Sequence, residues 1–218
     1  MKNNKARFYV TLVILLIALI AFMAIANSDG AKGSGESRAD AVNTAIKTGD
    51  AAPDFELKNP AGKTFRLSEA LSKGPVILAF YRGGWCPFCN KQLHDLQVHL
   101  TEFKKLGAEL VAVSPQTPEK TEWTETKNQL TFTVLSDPDN AIAKKYHLVY
   151  RVGAATNTMY RLMGIDIAKN NGSAAGELPV PATYLINTDG KIVFAFVDEN
   201  VQRRADSEDI LNALKARH

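Results

Sequence analysis

The hydrophobic positions after residue 48 alternate between short continuous runs and helical spacings. The run PVILAFY, residues 75–81, is bounded by Gly74 and Gly83, which predicts a central strand buried on both faces. From Pro87 onward, apolar residues recur at steps of three and four, so we expect an amphipathic helix that ends at Gly107. The apolar positions of that helix are Leu93, Leu96, Leu100, Phe103 and Leu106.

Strand and helix patterns continue to alternate along the rest of the chain, which predicts a three-layer α/β sandwich with a mixed sheet. The other predicted elements are a hairpin of DFEL and KTFRL turning at Asn59 to Gly62, a strand AELVAVSP, a helix opening at Thr117, a strand FTVLSD, a short helix DNAIAKKYHL, a hairpin of residues 182–186 and 192–197 turning at Asp189 and Gly190, and a closing helix over residues 207–217.

The chain opens with a basic head, followed by nineteen uncharged residues, 8–26. As a helix these residues would span roughly 28 Å, about the thickness of a bilayer core, which favours an uncleaved membrane anchor. A cleaved signal peptide is the alternative, because Ala24, Ile25 and Ala26 form a small-x-small exit. A buried soluble helix is a third interpretation. Basic residues before the span predict that the rest of the chain lies outside the cytoplasm, either anchored or secreted.

Composition divides the remainder into a tether and one domain. Residues 27–47 are rich in glycine, serine and charge, which is typical of a flexible tether, and residues 48–218 are long enough for one domain with a sizeable core. Residues 1–47 carry six basic and three acidic side chains, so residues 48–218 carry 20 of each and the net charge of +3 belongs to the leader and tether. We therefore predict no nucleic-acid surface.

The two cysteines of the chain, Cys86 and Cys89, lie where the strand PVILAFY gives way to the long helix. Pro87 suits the first helical position, which makes Cys86 the expected N-cap and Cys89 the third helical residue. The positive end of the helix favours a thiolate, and Arg82 adds a positive charge four residues upstream. A CxxC pair behind Trp85 at such a junction strongly indicates redox chemistry.

Three interpretations compete with redox chemistry. The pair could form a static disulfide, although so small a loop stabilises little. The two thiols could simply pack as inert side chains. Together with His94 and His99 they supply the residues of a Cys₂His₂ zinc site. However, both histidines follow along the same helix, without the spacing of a zinc finger. We therefore predict no metal and no bound cofactor.

Five motifs carry a resemblance that covers nearly all of residues 48–218. GDAAPDFEL, AFYRGGWCPFC, VAVSPQTPE, VLSDPDN and PATYLINTDGKI together resemble the peroxiredoxin-like branch of the alkyl hydroperoxide reductase and thiol-specific antioxidant family. The resemblance implies a thioredoxin-like fold with an N-terminal β-hairpin extension. It also implies hydroperoxide as substrate and a thiol electron donor such as a thioredoxin-like protein.

The chain departs from the family's active motif, Pro-x-x-x-Thr-x-x-Cys, at two positions. Arg82 stands at the proline, Cys86 at the threonine and Cys89 at the peroxidatic cysteine. The family's active-site arginine would fall at Pro181. Pro181 and Thr183 instead look like the Pro-x-Thr of thioredoxin-type disulfide reductases, which implies a cis bond before Pro181.

Two role assignments for the cysteines follow from this resemblance. In a peroxidase, Cys89 attacks the peroxide and Cys86 resolves the sulfenic acid as a disulfide. In a membrane-anchored protein-disulfide oxidoreductase, Cys86 is the exposed nucleophile, Cys89 resolves the mixed disulfide and Pro181 lines the partner groove. Trp85 would either flank that partner surface or pack half-buried. A redox-inert binding module on the same fold is the third functional class.

Overall fold

A computed structural model describes residues 37–216 and contains a seven-stranded mixed sheet. The strands are β1 (Glu56–Lys58), β2 (Thr64–Arg66), β3 (Val76–Phe80), β4 (Glu109–Ser114), β5 (Thr133–Ser136), β6 (Val149–Arg151), β7 (Glu177–Pro179), β8 (Ala182–Ile186) and β9 (Ile192–Val197). The large sheet has the strand order β2-β1-β5-β4-β3-β8-β9, and β6 pairs with β7 in a separate two-stranded sheet.

Helices cover both faces of the large sheet. They are α1 (Arg38–Thr44), α2 (Leu67–Leu71), α3 (Pro87–Lys105), α4 (Pro118–Asn128), α5 (Ala141–Lys145), α6 (Ala154–Leu162), α7 (Ile167–Asn171) and α8 (Ser207–Lys215), with a 3₁₀ turn at Pro138–Asn140. The strand β3 is buried along its whole length: Val76, Leu78 and Phe80 pack into one core, and Ile77 and Ala79 into the other. The predicted three-layer α/β sandwich is confirmed.

The direction of strand pairing places the site. Strand β3 lies parallel to β4 and antiparallel to β8, and β4 is parallel to β5. The N-terminal hairpin β1–β2 joins the sheet edge through β5, as the resemblance implied. Helix α3 follows β3 after a short loop and packs with α8 against one face of the sheet. The start of α3 therefore lies at the carboxyl end of the central strand, where open α/β sheets bind ligands.

The predicted flexible tether, residues 27–47, is wrong for its last part. Residues 38–44 form α1, which begins with a capping box in which Ser37 and Asp40 each accept a hydrogen bond from the other's backbone N–H. Ala41 is fully buried in a third apolar cluster with Tyr150 and Tyr160. Capping and burial together stabilise a segment whose glycine- and serine-rich approach suggested a linker.

Residues 164–179, a polar stretch before β8, form part of the folded domain. This stretch contains α7 and β7, and β7 pairs with β6.

None of the helices described between residues 37 and 216 has both the length and the apolar composition that a membrane-spanning helix needs. The predicted anchor or signal, residues 8–26, lies outside the described residues and stays a prediction.

Candidate active site

The two cysteines occupy the predicted places in the first turn of α3. Cys86 is the N-cap, Pro87 is the first helical residue and Cys89 is the third. Both are free thiols with 0% of their surface exposed. This burial contradicts the exposed Cys86 of the protein-disulfide interpretation. Cys86 packs in the same apolar cluster as Cys89, and Trp85 packs against that cluster.

Arg82 brings a buried positive charge to Cys86, as the sequence suggested. Its Nη2 donates to Cys86 Sγ at 3.1 Å, and its Nη1 donates to Tyr160 Oη at 3.0 Å. The guanidinium also lies 5.4 Å from the ring centroid of Trp85, within the range of a cation–π contact. Three partners therefore fix this side chain beside the sulfur.

Arg204 brings a second guanidinium, which the sequence analysis missed. Its Nη2 donates to Cys89 Sγ at 3.5 Å across 115 positions of sequence. Its Nη1 donates to the backbone carbonyls of Val201 and Arg203, both at 2.6 Å, which orients the group toward α3. No local motif marks Arg204, because its place depends on the loop between β9 and α8.

The surroundings separate the pKa values of the two thiols. Burial alone would raise the pKa of Cys89, but the hydrogen bond from Cys86 and the charges of Arg204 and Arg82 hold it well below its usual range. The same hydrogen bond, together with burial, raises the pKa of Cys86 well above its usual range, although Arg82 opposes that shift. These surroundings favour the thiolate form at Cys89 and the protonated thiol at Cys86.

Comparison with known proteins shows the family of this chain. Residues 48–195 match the AhpC/TSA family. The chain belongs to that family. Peroxiredoxin Q from chloroplasts of Populus jackii is 39% identical over 101 residues, which are 46% of this chain and 47% of that relative. Peroxiredoxin Bcp from Escherichia coli is 27% identical over 173 residues, which are 78% of this chain and 96% of that relative.

A solved structure confirms the fold of this AhpC/TSA protein. Peroxidoxin BcpB from Mycobacterium tuberculosis superimposes with a TM-score of 0.64 at 26% identity, covering 79% of this chain and 99% of that chain. The expected thioredoxin-like α/β fold is thus confirmed. The CxxC spacing singled out Cys86 and Cys89 in the sequence. These two residues therefore lie in a protein that is related to peroxiredoxins.

Among the hydrogen bonds described for residues 37–216, none joins Trp85, Pro181 or Thr183 to either sulfur. Trp85 is half-buried and packs 5.4 Å from the Tyr160 ring, which favours the packing interpretation. Pro181 is buried beside the end of β3, but no cis peptide bond occurs within residues 37–216, so the implied cis bond is wrong. Thr183 Oγ1 accepts a hydrogen bond from Gln92 Nε2 at 3.0 Å, so it positions a residue of α3.

No cluster of three or more metal-ligating side chains occurs within residues 37–216. His99 is one of the two histidines considered above as zinc ligands. Its Nδ1 lies 2.8 Å from the backbone carbonyl oxygen of Asp95.

Gly84 holds the loop before Cys86 in a space that admits no side chain. Its N–H donates to Gln116 Oε1 at 2.8 Å, and a Cβ there would lie 2.2 Å from Thr124 Oγ1. We expect Gly84→Ala to lower the free energy of unfolding by about 1–3 kcal/mol through overpacking. Urea unfolding of Gly84→Ala, Thr124→Ala and the double variant checks this. Strictly additive losses would show that the clash with Thr124 is not the cause.

Proposed function

We propose that this protein is a thiol peroxidase in which Cys89 attacks hydroperoxides and Cys86 resolves the product. The observation that carries the proposal is the charge around Cys89. A buried sulfur at the third position of α3 lies against Arg204, lies near Arg82 and accepts a hydrogen bond from Cys86. The thiolate is the nucleophilic form of cysteine, and positive neighbours maintain it at neutral pH. The peroxiredoxin names of the relatives support the same activity.

The proposed cycle has three balanced steps. The Cys89 thiolate attacks the terminal oxygen of R–O–O–H, the O–O bond breaks, and the alkoxide leaves and takes a proton from water as R–OH. The thiol of Cys86 then attacks the Cys89 sulfenic acid, forming the S–S bond and releasing water. A dithiol electron donor reduces that disulfide and is itself oxidised by two electrons. No step calls for a metal or an organic cofactor.

The donor and the cellular location extend the proposal. A thioredoxin-like protein is the class of reductant that suits a CxxC disulfide, because it exchanges thiols for disulfides. The uncharged residues 8–26 and the basic residues before them support a domain held outside the cytoplasm by an N-terminal anchor.

Protein-disulfide exchange is less well supported by the geometry. A partner disulfide would have to reach Cys86 Sγ, but Cys86 is fully buried and holds the higher pKa of the pair. A protonated, covered sulfur is a poor primary nucleophile. Hydroperoxides are much smaller than a protein disulfide and place less demand on access.

Single-turnover oxidation of the full chain as Cys86→Ser tests the proposal. We expect reduced Cys86→Ser to gain one oxygen atom at Cys89 within the mixing time of a small excess of hydrogen peroxide, and a sulfenic-acid trap to capture it. The wild-type chain should instead lose two hydrogens as the disulfide forms, with little trapped product. Intact-mass measurement reads both outcomes. Oxygen addition no faster than for a free thiol in solution would refute the peroxidase.

A further inference from the structure

The buried peptide group of Gly84, two residues before Cys86, is held from both sides. Its N–H donates to Gln116 Oε1 at 2.8 Å, and the Gly84 carbonyl accepts from Asn90 Nδ2 at 2.9 Å and from Lys127 Nζ at 3.5 Å. These partners come from the loop after β4, the first turn of α3 and the last turn of α4. Both polar ends of the peptide group are thereby satisfied and its orientation is fixed. We call Gly84, Gln116 and Asn90 the Gly84 clamp.

Gln116 is itself fixed by the protein around it, because its side chain is fully buried. Its Oε1 also accepts from Thr124 Oγ1 at 3.0 Å, its Nε2 donates to the carbonyl of Lys120 at 3.3 Å, and its backbone carbonyl accepts from Ser136 Oγ at 2.5 Å. Rotation of the buried amide would leave a polar atom without a hydrogen bond, which is costly. Gln116 therefore offers the loop before Cys86 a rigid point of attachment.

The clamp extends to the backbone of both cysteines. Asn90 follows Cys89 on α3, and its backbone N–H donates to the carbonyl of Cys86 at 3.0 Å. The backbone N–H of Cys86 donates in turn to the carbonyl of Gly83 at 3.1 Å. The main chain on either side of Cys86 is therefore held where the two thiols share a hydrogen bond.

We propose that Gln116 is a positioning residue that keeps Cys86 in place to form the disulfide with Cys89. Among the hydrogen bonds described for residues 37–216, none joins Gln116 to a sulfur, so it acts through the Gly84 peptide. Groups held in a reactive geometry react faster, and a misplacement of about 1 Å can cost about 100-fold in rate. This inference rests on the proposed function, in which the Cys86 thiol attacks the Cys89 sulfenic acid and water leaves.

Equilibration of the full chain with reduced and oxidised glutathione tests this positioning without peroxide. The protein dithiol passes two electrons to glutathione disulfide, which yields the protein disulfide and two molecules of glutathione. Gln116→Met keeps the length of the side chain but removes the amide that holds Gly84. We expect it to lower the equilibrium constant for the protein disulfide about tenfold, because the two thiols lose their fixed geometry. A loss of stability shared by the reduced and oxidised forms cancels in this constant.

Asn90→Leu opens the clamp from its other side and should lower the same constant, so the test does not depend on the folding of one variant. Thr121→Val is the matched control. Thr121 is also buried, and its Oγ1 donates to the carbonyl of Thr117 at 3.0 Å, within its own helix turn. Its loss should leave the constant unchanged. Constants of wild-type size in both clamp variants, or an equal fall in Thr121→Val, would overturn the proposal.

Hydrogen peroxide distinguishes this proposal from the peroxidase function. In the proposed cycle, disulfide formation competes with a second peroxide, which adds an oxygen atom to the Cys89 sulfenic acid, gives the sulfinic acid and releases water. We expect Gln116→Met to give equal amounts of both products, read by intact mass, at about a tenfold lower peroxide concentration than wild type. If peroxide leaves wild-type Cys89 unchanged while the glutathione constant of Gln116→Met still falls, the peroxidase function fails and the positioning role stands.

Discussion

Replacing Arg204 by methionine should slow the reaction of Cys89 with hydroperoxide by about 10- to 100-fold at neutral pH. An opposite charge within hydrogen-bond distance lowers a pKa by about 1–3 units, so its removal raises the pKa of Cys89. The thiolate fraction then falls about tenfold for each unit by which that pKa exceeds the pH. Arg204 Nη2 is the guanidinium atom that contacts Cys89 Sγ. Methionine keeps the length of the side chain but removes the charge.

The pH profile gives the sign of this effect. The pKa of Cys89 lies well below the ordinary thiol range, so the wild-type rate should reach its plateau on the acid side of that range. In Arg204→Met the rise should move to higher pH, and much of the lost rate should return in alkaline solution. Stopped-flow kinetics across pH measures both curves.

Arg203→Met is the matched control for Arg204→Met. Arg203 is the exposed neighbour and pairs with Asp198 at 2.7 Å on the surface, so its loss should leave the profile in place. An Arg204→Met profile that superimposes on wild type would show that Arg204 does not set the charge of Cys89.

Replacing Arg82 by methionine should cost both activity and stability. Arg82 is buried, contacts Cys86 Sγ and Tyr160 Oη, and lowers the pKa of Cys89. Removing one partner of a buried charge pair typically destabilises by about 3–5 kcal/mol. The peroxide rate should fall at neutral pH by about 10- to 1,000-fold, because the Cys89 thiolate loses one of its two cations.

The loss of stability in Arg82→Met should depend on pH. A depressed pKa stabilises the folded state fully above the unfolded thiol's pKa, and that contribution disappears as pH falls through the folded value. Arg82→Met should therefore be destabilised more in alkaline than in acidic solution. Urea unfolding at several pH values measures this difference. Arg82→Lys, which keeps the charge, should retain part of the pH-dependent stability, and a loss independent of pH would indicate that packing alone is affected.

Local sequence was enough to predict the reactive turn but not what surrounds it. Pro87 fixed the start of α3, and with it the N-cap position of Cys86 and the third position of Cys89. Arg82 lies four residues from Cys86, so its contact was foreseeable from spacing. The contact of Arg204 depends on how the loop after β9 returns to α3, and no periodicity encodes that path.

For the same reason, the burial of the cysteines could not be predicted from the sequence. Arg82, which contacts Cys86 Sγ, also donates to Tyr160 Oη, and Tyr160 lies on α6, a helix that the sequence analysis did not predict. Helix α1 was hidden by the glycine- and serine-rich chain before it, although Ser37 and Asp40 supplied a capping box. In both cases tertiary burial determined the structure, where local propensity was weak.

The attachment of α1 gives the site a mechanical connection to the N-terminal side of the chain. Arg38 is buried, lies 5.7 Å from the ring centroid of Tyr150, and donates through Nη1 to the Glu199 carbonyl at 3.4 Å. Glu199 precedes Arg204 by five residues in the same loop. A pulling force applied at Ser37 would therefore act through Arg38 both on β6, at Tyr150, and on the loop that holds the second guanidinium. Arg38 thus connects the segment that begins at Ser37 to the loop that carries Arg204.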